Sequence, residues 1–154
     1  MSSSDPASTP RLSDRPGYAL VRAAMKVRQC YADTLAAAGL LPNQHAILST
    51  LHEAGPCNQK ELALRVVVNP ADIVAYLDGL QDREFIVRER DPADRRRQIV
   101  TITDAGLAKL IDADRALDSV ETAVFSGLST QDLASLNRIA ARVYDAADAV
   151  NSTR

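Results

Sequence analysis

Aromatic residues are scarce, at 4% of the 154 positions, and Ala, Leu and Val carry most of the 46% hydrophobic content. Small aliphatic side chains suit close-packed helices better than a β-sandwich, so a mainly helical class is expected. Cysteine is nearly absent. Cys30 and Cys57 are the two present, too few and too far apart for a disulfide framework. No run approaches the ~18 apolar residues of a membrane span, and the opening MSSSDPASTPRLSDRP lacks the apolar stretch of a signal peptide. A cytoplasmic protein with no membrane partner is expected. There is no excess of positive charge either. With 18 Lys and Arg against 20 Asp and Glu the net charge is −2, so any surface for nucleic acid has to be local. Neither a glycine-rich phosphate loop nor a Ser-His-Asp or His-Cys arrangement is present, and no cofactor or catalytic activity is expected.

What is there is a succession of amphipathic segments. The length suits one domain, with residues 1–15, rich in Ser, Pro and Asp, expected as a disordered tail. Leu20, Ala24, Val27, Tyr31, Leu35 and Ala38 recur at threes and fours, the mark of one helical face over 17–38, closed by Gly39. Pro42 suits the first turn of a second helix with Ile47, Leu48 and Leu51 inward, ending near Gly55-Pro56. Asn58 followed by Glu61 forms a capping-box pattern for a short third helix with Leu62, Ala63 and Val66 buried, which the Val66-Val67-Val68 run breaks. Asn69-Pro70 restarts a helix with Ile73, Leu77 and Leu80 inward.

Two short β-branched runs, FIVRER and QIVTIT, flank the polar DPADRRR and predict a β-hairpin. Thr103 then caps a helix with Leu110, Ala113, Leu117, Val120 and Val124 on one side, ending at Gly127. Ser129 starts a last helix carrying Leu133, Leu136, Ala140, Val143, Ala147 and Val150. The last seam is narrow enough for a partner helix.

Short helix, turn, short helix, Arg-rich hairpin and long helices follow in an order that resembles the MarR family over about residues 17–150. DPADRRRQIVTITDAG, residues 91–106, is similar to that family's wing and the Thr-capped helix after it. NQKELALRVVVN and the spacing from Leu77 and Leu80 to Phe85-Ile86 are similar to its helix-turn-helix. The resemblance implies a winged helix-turn-helix lobe over about 42–103 and dimerisation helices over about 17–38 and 104–150, in a single domain of residues 16–154. It further implies a homodimeric transcriptional regulator on a pseudo-palindromic operator in double-stranded DNA, acting as a repressor released by a small-molecule effector. Four positions depart from the family pattern. Ala75 and Gly79 stand where basic residues are frequent, Glu84 where Gly is usual, and Leu41 where a Thr cap is customary. At Glu84 either a non-Gly residue adopts a left-handed conformation or the helix ends differently.

For DNA, the candidates are Gln59, Lys60 and Arg65 on the third helix as phosphate contacts, and Asn69, Ala71, Asp72 and Ala75 on the fourth facing the groove. Arg95, Arg96 and Arg97 stand at the hairpin tip. Each has a purely local alternative. Asn69 is an N-cap, Asp72 complements a helix dipole, and the arginines pair with Asp91 and Asp94 in a solvated turn. In the resembled wing, Asp94 braces Arg96 while at least one Arg enters a minor groove, where negative potential is concentrated.

For an effector, a small aromatic acid or phenol, the architecture brings Arg22, Lys26, Tyr31, His45 and Tyr76 toward one cleft. Cys30 reads as a small core residue. His45 and His52, two helical turns apart, cannot share one metal unaided, though a zinc-responsive regulator using Cys57 stays open as an alternative. So does a winged-helix protein-interaction module without DNA binding, argued by the acidic balance and the Arg-poor fourth helix.

Overall fold

Proline and asparagine set most of the helix starts. The computed structural model describes residues 9–153. Of the expected tail, residues 1–8 lie outside the described residues, and Leu12–Asp14 form one 3-10 turn. Helix α1 (Pro16–Ala37) begins with proline and is closed by Gly39 at φ +80°. Helix α2 (Pro42–Ala54) also has proline in its first turn. Its N-cap position is Leu41, which has no side-chain oxygen to cap the first turn. The buried Gln44 supplies the reciprocal half of a capping box, its Oε1 accepting from the Leu41 N–H at 3.1 Å. Strand β1 (Cys57–Asn58) precedes α3 (Gln59–Val66), where Asn58 Oδ1 accepts from the Glu61 N–H at 2.9 Å. In α4 (Pro70–Asp82), Asn69 Oδ1 does the same for the Ala71 N–H at 2.9 Å. Strands β2 (Ile86–Arg90) and β3 (Gln98–Ile102) make the hairpin, then come α5 (Asp104–Val124) and α6 (Thr130–Ser152).

The hairpin is one strand larger than the sequence pattern indicates. Its sheet has the order β1-β3-β2, all antiparallel, with Cys57 opposite Val100 and Arg90 opposite Gln98. A two-residue strand has no periodicity to detect. It nonetheless ties the start of α3 to the root of the wing.

Residues up to Asp118 and residues from Ser119 on form two compact units. The first holds the whole buried core: Leu35, Leu40, Ile47, Leu48, Leu51, Leu62, Ile73, Leu77, Leu80, Ile86, Val100 and Leu110 are each at most 2% exposed. Leu110, on the same side of α5 as Leu117 and Val124, is thus a core residue of this unit. In the second unit α6 buries no residue, and Leu136, Ile139, Val143 and Val150 are exposed. α5 ends at Val124, short of Gly127, which does not take a left-handed conformation.

One correction and one refinement concern single residues. Cys30 is exposed on α1. It lies five positions before the buried Leu35, on nearly the opposite side of the helix, and so is no core residue. Helix α3 is ended by Val67 in the left-handed region at φ 57°, a conformation costly for a β-branched side chain. Among the described residues no helix is long and apolar enough to cross a membrane.

Candidate nucleic-acid interface

The tip of the wing is held by two aspartates. Asp91 accepts from the Ala93 N–H at 2.9 Å, and its own N–H donates to the Arg97 carbonyl at 2.9 Å. Asp94 Oδ1 accepts from both the backbone N–H and Nε of Arg96, at 3.1 and 3.3 Å, and Oδ2 faces Arg97 Nε at 3.6 Å. The bracing of Arg96 by Asp94 is therefore present, and Arg97 shares it. Arg95, exposed at the tip, has no ion pair or hydrogen bond among the described residues.

Opposite the tip lies the first turn of α3. Between them runs an open groove of about 810 Å³, lined by Gln59 and Lys60 on one side and by Arg90, Arg95, Arg96, Arg97 and Gln98 on the other, with Leu64 and Pro70 in its wall. Five cations face one carboxylate, Glu61. In a chain of net charge −2 this is the local concentration of positive charge that a polyanion requires. Of the residues expected to meet DNA, Gln59, Lys60, Arg95, Arg96 and Arg97 are thus gathered in one place. Arg65, Asn69, Ala71, Asp72 and Ala75 are exposed outside it, the last four at or on α4.

Arg90 and Gln98 were missed by the sequence reading. They are cross-strand partners at the top of the hairpin, and only the pairing register places both beside α3.

Helix α4 is anchored at its far end. Arg88 donates to Asp78 and, at 2.5 Å, to Gln81. Arg83 donates to the Gly39 carbonyl and stacks 4.6 Å above the Phe85 ring. Glu84 takes the left-handed alternative, at φ 60°. Arg83, the first basic residue of the α4 segment, is thus exposed but engaged by the protein's own groups. Gly79 is no missing DNA contact either, because a Cβ there would come 2.9 Å from Gln44 Nε2. A side chain at that position would have to displace the Gln44 amide.

Thr103 fastens the end of α4 to the start of α5. Its N–H donates to the Phe85 carbonyl at 3.0 Å, its Oγ1 donates to the Glu84 carbonyl at 2.7 Å, and the same Oγ1 caps α5 by accepting from the Gly106 N–H at 3.0 Å. Gly106 is required here, since a Cβ would meet the Phe85 carbonyl oxygen at 2.0 Å.

The effector candidates are more dispersed. Arg22 and Lys26 are exposed on α1, with the Arg22 guanidinium 5.7 Å from the ring centroid of Tyr18 on the same helix. Tyr31 and Tyr76 are half-buried. His45 Nε2 is 2.7 Å from Asp114 Oδ1 on α5, a partner that sequence gave no means of finding. Burial pushes the Cys57 thiol up, an effect that the Arg65 charge opposes and Glu61 reinforces, so the neutral thiol dominates and ligation or nucleophilic attack is disfavoured. Among the described residues no three His, Cys, Asp or Glu side chains are grouped to hold a metal ion.

A helix-turn-helix, α3–α4, joined to a three-stranded wing and two long helices defines a winged helix-turn-helix protein. The MarR family profile matches residues 40–97, the lobe that carries the groove. Across nearly its whole length the chain is 32% identical to the transcriptional repressor CouR, solved bound to a 23-mer DNA duplex. That match covers 89% of this chain and 99% of the other at a TM-score of 0.80. The chain belongs to the MarR family.

A second structure, CouR from Rhodococcus jostii RHA1 bound to p-coumaroyl-CoA, is 26% identical over 88% of this chain and 95% of that one, with a TM-score of 0.76. The transcriptional repressor NicR of Pseudomonas putida is 39% identical over 70 residues, 46% of this chain and 44% of its own length. The chain spans about half the length of the curated relatives it matches.

Proposed function

We infer that this chain is a transcriptional repressor that binds a pseudo-palindromic DNA operator as a homodimer and releases it on meeting a small aromatic acid or phenol. The observation that carries the reading is the groove between α3 and the wing, with Lys60, Arg90, Arg95, Arg96 and Arg97 around it. Guanidinium groups on a hairpin tip match the phosphates and the narrow minor groove of a duplex. Arg95, free of internal partners among the described residues, is assigned to the minor groove, while Asp94 holds Arg96 and Arg97 along its edge. Gln59, Lys60 and Arg65 take phosphates. Asn69, Ala71, Asp72 and Ala75 face the bases.

Residues 16–154 act as one domain in this reading. The exposed apolar side chains of α1, Leu20, Val21 and Met25, and of α6 supply the surface for the second copy. The p-coumaroyl thioester carried by a relative favours an aromatic acid as effector, with Arg22, Lys26, Tyr31, His45 and Tyr76 as the residues to test. No catalysis is assigned, and the reading places the protein in the cytoplasm.

Changing Arg95, Arg96 and Arg97 together to Ala removes six charges from a dimer. The expected result is an affinity for duplex DNA lower by orders of magnitude at moderate salt, with a shallower dependence of binding on salt. Unchanged binding and slope would remove the wing from the interface. No duplex binding by the unaltered protein would favour a winged-helix interaction module instead.

A further inference from the structure

The wing and the first turn of α3 concentrate cations, but the helix placed to read bases has none to use. Helical periodicity puts Ala71, Ala75, Asp78 and Asp82 opposite the buried Ile73, Leu77 and Leu80, with Val74 on the flank between the two faces. All five are exposed, Val74 by 40% despite being a large apolar residue. Apart from the Asn69 amide at the helix start, this face carries methyl groups and carboxylates and no N–H or O–H donor. The guanidinium groups nearby are committed elsewhere, Arg88 to Asp78 and Gln81 and Arg83 to the Gly39 carbonyl. Asn69 Oδ1 already accepts the Ala71 N–H, so the paired acceptor-and-donor grip of Asn on adenine is not set up.

In the major groove guanine presents two acceptors, N7 and O6, whereas thymine presents its 5-methyl group. Asp78 is neutralised by Arg88, so it is the Asp82 carboxylate that repels the first, and exposed Ala and Val methyls gain by covering the second. We propose that α4 reads thymine methyl groups and disfavours guanine, with Ala71, Val74 and Ala75 as the specificity-determining residues. The proposal rests on the DNA-binding reading above and states which operators that reading takes. Attraction to phosphate comes from the wing groove, and choice among sequences comes from apolar contact on α4. Val74 enters as a determinant that neither the helix-turn-helix pattern nor any polar-residue search selects.

The test begins with duplexes selected by the full-length protein from a random pool. In the selected sequence each thymine is replaced singly by uracil, which removes only the methyl group, and each guanine by 7-deazaguanine, which removes the N7 acceptor. Affinity is expected to fall roughly four-fold for a uracil under α4, at symmetric positions in the two half-sites. The 7-deazaguanine duplexes should bind as the parent does. In a Val74→Ala variant the uracil penalty at one thymine per half-site should vanish, showing which side chain meets which methyl. Equal binding of thymine and uracil duplexes, or weakening by 7-deazaguanine under α4, overturns the methyl reading while DNA binding itself stands. Failure to select any duplex overturns the DNA reading and this one with it.

Discussion

The unit up to Asp118 and the unit from Ser119 onward use the same kind of sequence for different ends. In both, aliphatic residues recur every three or four positions along helices. In the first, Ile73, Leu77 and Leu80 on α4 meet Ile47, Leu48 and Leu51 on α2, and all six lie within one closed core. In the second, Leu136, Ile139 and Val143 lie along α6 with no buried residue beside them. One stripe is satisfied within the chain and holds the lobe together. The other is left exposed by the chain itself, so the lesson of the comparison is that amphipathicity specifies a face and leaves its partner open.

The largest expected effect comes from cutting into the closed stripe. Leu77→Ala should cost about 2–5 kcal/mol of stability, read from the denaturant midpoint, because the site is fully buried on all sides. A loss under about 1 kcal/mol would mean that this core is loosely packed, contrary to the burial described. Next comes the open stripe. Ile139→Asp with Val143→Asp should leave the helicity of the dilute chain nearly unchanged while raising the dimer dissociation constant roughly a hundred-fold or more. Sedimentation at several concentrations reads this directly, and a dimer indifferent to both charges would move the interface off α6.

The smallest effect is at the start of α6. Ser129 Oγ and N–H both donate to Asp132 Oδ2, at 2.7 and 2.9 Å, holding its carboxyl below the ordinary value of 3.8, hydroxyl first and backbone second. A lowered carboxyl pKa adds stability above the unfolded value and loses it as pH falls through the folded one. The advantage of the native protein over Asp132→Asn, followed by amide exchange in the first turn of α6, should therefore shrink as pH drops below 3.8. An advantage that persists in acid would show that the carboxylate charge is not what the cap uses.

Most of the fold was legible because its punctuation is local. Pro42, Asn58, Asn69, Pro70, Thr103 and Ser129 act within three residues of themselves, and each starts its helix as the sequence indicates. The bracing of Arg96 by Asp94 was legible for the same reason. What escaped is non-local or silent in residue type. The His45–Asp114 contact spans 69 positions. Arg90 and Gln98 reach the groove only through strand register, and nothing about Val67 announces a left-handed residue. Cys30 escaped because a small apolar residue within an amphipathic helix reads equally well on either side of it.

The knot at Thr103 has a consequence for how such a protein changes over generations. Because Thr103 bonds to Glu84 and Phe85, the chain enters and leaves the hairpin at one point, and residues 86–102 form a loop closed at its base. Lengthening the tip between Arg90 and Gln98 adds only a slowly growing closure entropy and leaves in place the contacts at Arg88 and Thr103 that fix the hairpin to the helices. The wing is in effect an exchangeable cassette. Its reach and charge can drift to follow a drifting target while the helical frame that carries it stays as it is.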